Sequence, residues 1–196
     1  IAKPVYLKND AMCAGIAEKE YGSLKDSYNG VFLGIGTGIG TAVFIHGKLM
    51  EDIRSAGHMI IERNGRKCNC GKNGCYEAYA SMKVLKTQIR NRMMNDKLSS
   101  KEILEILQNK NEISKVEDIL KEYIEYLAIG ISNMARICSS DTVCIGGSFV
   151  YYKDILFDRL LSELDRIMIP MEKEKTKIKL ATLGNDAGII GATLIY

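Results

Sequence analysis

Residues 57–77, GHMIIERNGRKCNCGKNGCYE, constrain the fold more than any other stretch. One His and three Cys fall within 18 positions, in a chain that holds only two His and six Cys. The segment interrupts the regular apolar patterns on either side of it. His58, Cys68, Cys70 and Cys75 follow the spacing H-x9-C-x-C-x4-C. Three thiolates and an imidazole make a closed tetrahedral zinc site, and Gly71 and Gly74 permit the tight turns that bring Cys70 and Cys75 to one metal. The competing reading is disulfides, which a cytoplasmic chain seldom keeps and which would leave one Cys of the three unpaired. A closed site offers substrate water no position, so the metal is read as structural, stapling a loop with little apolar core of its own. Cys13, Cys138 and Cys144 sit in apolar patterns and read as buried packing residues.

Around this loop the sequence alternates strand and helix signals. PVYLKN reads as a short strand, followed by a helix over DAMCAGIAEKEYG with Asp10 at its cap and Gly22 at its end. GVFLGIG and TAVFIHGKL are β-rich runs around a Gly-rich turn and are expected to pair antiparallel. A helical period resumes at EAYASMKVLKTQIRNRMM, and two or three further helices are expected over 100–138. DTVCIGG leads into a helix over YYKDILFDRLLSELDRI, and KIKLATLG into a second over NDAGIIGATLIY. The pattern predicts an α/β domain with a mixed sheet, whose ligands sit at the carboxyl ends of the strands. MEKEKTKIK, at 171–179, mixes both signs and reads as a solvated loop before a strand.

Net charge is +3 on 27 basic and 24 acidic residues. That is too small to imply nucleic acid or membrane as an obligate partner. No apolar run approaches the ~18 residues of a membrane span and no signal peptide is recognisable, so a soluble, cytoplasmic protein is expected. The opening, IAKPVYLKND, has no Met and runs straight into a strand-like segment, as expected of a piece cut from a longer protein.

GIGTGIG, at 34–40, lies between two strands. A dinucleotide fingerprint needs a helix after the glycines, so the Rossmann reading is rejected. Such a turn can bring backbone N–H groups and the Thr37 hydroxyl to a phosphate, and a plain hairpin turn is the alternative. IGGS, at 145–148, offers a second such place. Asp10 is either a simple helix cap or a general base toward a substrate hydroxyl. Glu77 is either an early helical Glu favoured by the dipole or a ligand-binding carboxylate positioned by the metal loop.

Taken together, ND before an Ala-rich helix, GIGTGIG, GHM followed by CNCGKNGCYE, IGGS and DAGIIGA resemble the ROK family in order and approximate spacing. That family comprises bacterial sugar kinases and sugar-responsive repressors of the actin-like ATPase (ribonuclease H-like) superfamily. The resemblance implies that residues 1–196 are the larger, C-terminal lobe of a two-lobe protein, with the zinc loop at 57–77 and residues 185–196 packing toward the other lobe. It implies that Asp10 takes the proton from a sugar hydroxyl attacking the ATP γ-phosphate, and that Asn9, His58 and Glu77 bind the sugar. One ring nitrogen of His58 would hold zinc and the other face the sugar. Gly36, Thr37 and Gly38 would meet phosphates, Gly146 and Gly147 adenosine. Zinc, ATP with Mg²⁺, and a homodimer follow from the same resemblance.

Two departures stand out. Family kinases carry Glu three residues before the metal His, where this chain has Ser55. A short hydroxyl cannot replace a charged acceptor, so weaker sugar binding or a different substrate is expected. The family's phosphate-binding DxGGT segment is also absent, so the 196-residue chain by itself is expected to lack kinase activity. The alternative is the sugar-sensing part of a repressor, with nucleic acid as a partner only if a helix-turn-helix lies upstream.

Overall fold

The structure is a computed structural model that describes residues 5–53 and 55–195. The chain forms α1 (Asp10–Tyr21), then β1 (Gly30–Ile35), β2 (Ile39–Ile45) and β3 (Lys48–Leu49), and then the Cys-rich loop. Helices α2 (Glu77–Ala80), α3 (Met82–Arg92), α4 (Ser100–Gln108), α5 (Lys110–Ile113) and α6 (Glu117–Ile137) follow. The remainder is β4 (Thr142–Gly146), α7 (Lys153–Ile167), α8 (Pro170–Lys175), β5 (Lys177–Leu180) and α9 (Ala187–Ala192).

These strands make one mixed sheet in the order β3-β2-β1-β4-β5. The β1–β2 and β2–β3 pairs are antiparallel, while β1–β4 and β4–β5 are parallel. Alternate side chains of a strand point to opposite faces. On one face Val31, Leu33, Ile35, Val143 and Ile145 join the large core built with α3, α4, α6 and α7. On the other, Phe32, Ala42, Phe44 and Cys144 pack with Met12 of α1 and Leu24. Helix α9 covers α1 so closely that a Cβ on Gly191 would lie 1.7 Å from the Cys13 carbonyl oxygen. Cys13, Cys138 and Cys144 are buried, as expected. No helix among the described residues is long and apolar enough to cross a membrane.

Four expectations about elements are corrected. Residues 5–9 form no strand: among the described residues none pairs with them, and Val5 and Leu7 are 80% and 98% exposed; residues 1–4 lie outside the described residues. The cap of α1 is Asn9, whose Oδ1 accepts from the N–H groups of Ala11 and Met12, and Asp10 is the first helical residue. The helical stretch after the Cys-rich loop is two helices, broken where Ser81 turns extended and caps α3 through Val84 N–H. Residues 171–175 belong to α8 rather than to a loop: Pro170 starts the helix, Ile169 N–H donates to Glu172, and Glu172 is buried against Arg136 of α6.

Candidate functional site

The carboxyl ends of the parallel strands β1, β4 and β5 converge with the N-terminus of α1 on one cleft of about 610 Å³. Asp10, Gly36, Thr37, Gly38, Glu77 and Gly147 all line it. Several glycines make the convergence possible. A Cβ on Gly40 would sit 2.4 Å from that of Ala11, so the Gly-rich turn lies directly against the start of α1. Gly147 has φ +73°, and its Cα faces the carbonyl of Ile35, where a Cβ would approach within 2.7 Å. Gly146 lies one residue back, buried against the Phe32 ring, and is not part of the lining.

Asp10 is exposed at the mouth of the cleft, with Oδ1 accepting from Ala11 N–H at 2.8 Å. Because Oδ1 of Asn9 is taken by the helix cap, the Asn9 amide NH₂ is the group left for a ligand. Within the turn, Gly36 N–H donates to Gly38 carbonyl at 2.9 Å. At the tip of the turn Thr37 is exposed and Gly38 half-buried, and both line the cleft.

Glu77 opens α2 and joins the cleft to the Cys-rich loop. Its Oε2 accepts from Ile39 N–H at 3.3 Å, and its Oε1 stands 3.4 Å from Cys68 Sγ and 3.7 Å from His58 Nδ1. The preceding residue, Tyr76, is the loop's anchor. It is fully buried, and its hydroxyl donates to the Leu127 carbonyl of α6 at 2.9 Å. Cys75 and Glu77, on either side of Tyr76, are placed by that anchor. Gly71 and Gly74 take φ of +87° and +80°, as the tight turns require.

One ligand atom from each of His58, Cys68, Cys70 and Cys75 lies within 4.8 Å of every other. Cys68 Sγ is 3.5 Å from His58 Nδ1, and Cys70 Sγ is 3.5 Å from Cys75 Sγ. A tetrahedral zinc with sulfur and nitrogen ligands has edges of about 3.3–3.8 Å, so the donor set fits in type and spacing. All six Cys are free in this structure. Burial, then the neighbouring Cys70 and Cys68 sulfurs, push the Cys75 thiol up to about 12. Burial likewise raises Cys68, while a backbone hydrogen bond from Lys72 lowers the exposed Cys70. Buried thiols ionise readily only beside a cation.

Sequence reasoning passed over several residues of the cleft. Tyr151 and Asn185 close one wall, with the Tyr151 hydroxyl donating to Asn185 Oδ1 at 3.3 Å, and Ala181 and Gly188 complete it. No local signal singles out Tyr151; the GND turn at 184–186, with Gly184 at φ +58°, could have marked Asn185. Buried Glu18 was missed too. It accepts from the N–H groups of Ser23, Thr182 and Leu183, fastening α1 to the segment after β5.

A mixed sheet between two helical layers, with Gly-rich turns and a carboxylate-bearing helix start at one edge, defines the actin-like ATPase fold. The ROK hexokinase of Thermus thermophilus shares it with a TM-score of 0.85 and 26% identity, over 98% of this chain and 64% of that one. The chain belongs to the ROK family, whose model matches residues 1–196. The xylose repressor of Bacillus spizizenii is 29% identical over 98% of this chain and 50% of its own length. The glucokinase of Thermotoga maritima is 28% identical over 98% of this chain and 66% of its own. The chain thus spans about half to two thirds of the curated relatives it matches.

Proposed function

We propose that residues 1–196 are the larger lobe of an ATP-dependent sugar kinase acting on a hexose or amino sugar. The observation that carries this reading is the convergence of Asp10, Glu77 and the Gly36–Gly38 turn on one cleft at the strand ends. Asp10 accepts the proton of the attacking sugar hydroxyl, a role suited to an exposed carboxylate at a helix start facing open space. The Asn9 amide and Glu77 hold other hydroxyls. Thr37 and Gly38 present the turn's hydroxyl and backbone to the phosphates, and Gly147, with Gly146 beneath it, lines the adenosine side. Mg²⁺ brought with ATP neutralises the charge of the transferred phosphoryl group.

Zinc would be held by His58 and the sulfurs of Cys68, Cys70 and Cys75, where it would supply a rigid cross-link. The fit of the donor set supports it. The other ring nitrogen of His58 would then be left for the sugar. A cytoplasmic homodimer belongs to the same reading and is supported by the family alone.

The decisive test is Asp10→Asn in the parent protein: kcat should drop roughly 10²–10⁴-fold with sugar Kd little changed. Unaltered turnover sinks the assignment of the base. The 196-residue chain should bind sugar by calorimetry without phosphorylating it, and ATP-dependent sugar phosphate formed by that chain would overturn the claim that it is only one lobe. For the metal, elemental analysis should find about one zinc per chain, lost in Cys70→Ser. A sugar-sensing repressor is the second reading. It is favoured by Ser55, since a sensor tolerates loss of a substrate carboxylate more readily than a kinase, and by the likeness to the xylose repressor.

A further inference from the structure

We propose that Arg66 is the positioning residue of the metal loop: it fastens the segment bearing Cys68 to α2 and α6 and thereby sets how long the loop retains its metal. The inference rests on the zinc reading above. It starts from a weakness of the loop, whose only β-pairings are the isolated bridges Ile60↔Cys75 and Lys67↔Asn73 among the described residues. Tyr76 anchors the end that carries Cys75. The residues next to Cys68 and Cys70 are polar: Arg66 and Lys67 precede them and Asn69 separates them.

Arg66 supplies the missing anchor through its backbone and its guanidinium. Its N–H donates to Tyr79 Oη at 2.5 Å, and its carbonyl accepts from Gly74 N–H at 2.8 Å. Nη2 of its guanidinium donates to both Glu122 oxygens of α6, at 3.0 and 2.9 Å. The guanidinium lies over the Tyr79 ring, 4.5 Å from its centroid, and the Tyr126 ring packs on Tyr79 with centroids 4.3 Å apart. Glu122 is held in turn by Gln88 of α3 at 3.0 Å. One side chain thus ties the approach to Cys68 to α2 and α6, and through Glu122 to α3.

Such an arrangement acts on metal retention more than on global stability. The Arg66 and Glu122 side chains are 35% and 43% exposed, and a pair that wet contributes little to the folded state as a whole. Groups behind metal ligands work instead by fixing ligand orientation, so that binding does not have to order the loop. A lysine would keep the charge but lose the planar face that stacks on Tyr79.

The test is the rate at which the zinc-loaded chain surrenders metal to excess 4-(2-pyridylazo)resorcinol. Arg66→Gln and Glu122→Gln should each speed release about 10–100-fold. The double variant should be no faster than the faster single, and Arg66→Lys should not rescue. The melting temperature of the zinc-free chain should barely move, which a merely structural role would not predict. Release by Arg66→Gln within about twofold of wild type, or rates that multiply in the double variant, would overturn the clamp. If Arg66→Gln does not fold, Glu122→Gln and Tyr79→Phe read the same contacts with Arg66 in place. A wild-type chain without zinc overturns the metal reading and the clamp together, whereas normal zinc content with unchanged release overturns the clamp alone.

Discussion

Glu77 serves two neighbours at once, and its geometry makes the residue scale decisive. One oxygen takes Ile39 N–H at the end of the Gly-rich turn, and the other faces Cys68 and His58. The turn can come this close only because residue 38 lacks a side chain: a Cβ on Gly38 would stand 2.6 Å from Glu77 Oε2. Gly38→Ala should therefore push the carboxylate out of place. We expect a loss of about 1–3 kcal/mol in chemical denaturation, the range for overpacking, together with weaker sugar binding by calorimetry. Sugar affinity equal to wild type would mean that Glu77 does not touch the sugar. The sequence showed Glu77 as a residue two places past the last Cys. What it could not show is that α2 aims the carboxylate back at residues 38 and 39, because that contact spans the whole Cys-rich loop.

At the scale of elements, α8 shows how a charge pattern can mislead. Mixed signs over 171–179 are what a solvated loop carries, yet Glu172 turns inward and accepts from Arg136 of α6 and from Ile169 N–H. Pro170 with Glu172 two positions on is a helix-start signature that could have been weighed more heavily. Hydrogen bonding from Arg136 holds the Glu172 carboxyl below its ordinary value of 4.5. A carboxyl depressed in the folded state contributes stability that is complete above its ordinary value and lost as pH falls through the folded one. Urea midpoints of the wild type should therefore drop below about pH 4.5 more steeply than those of Glu172→Gln. At neutral pH the variant should be less stable by about 1–3 kcal/mol, the range for a hydrogen bond to a charged group. Equal acid sensitivity of the two proteins would remove the pair from this account. The strands and long helices were legible because their apolar periods are strong. Residues 5–9 carry a comparable period, but a strand exists only where another strand pairs with it, and no local pattern records that.

Over the whole molecule, the sheet and its helices form their larger core without any of the four candidate metal ligands. On the proposed reading, removing zinc with a chelator should accordingly abolish sugar binding while far-ultraviolet circular dichroism stays close to that of the loaded chain. Collapse of the dichroism signal would show that the metal holds the domain and not just the loop. The site was legible as a set of separate motifs, and the sheet order explains why it was not legible as a place. The motifs meet because β1 pairs with β4, and β4 with β5. That same order divides the folding reaction by range. The hairpin of β1 and β2 closes between near neighbours, whereas pairing Gly30 with Thr142 closes a loop that contains the Cys-rich segment and helices α2 to α6. Contacts this distant along the chain form slowly. Pulsed hydrogen exchange during refolding should find hairpin amides protected while those of β4 and β5 still exchange, so that a newly made chain holds its Gly-rich turn before it has a cleft.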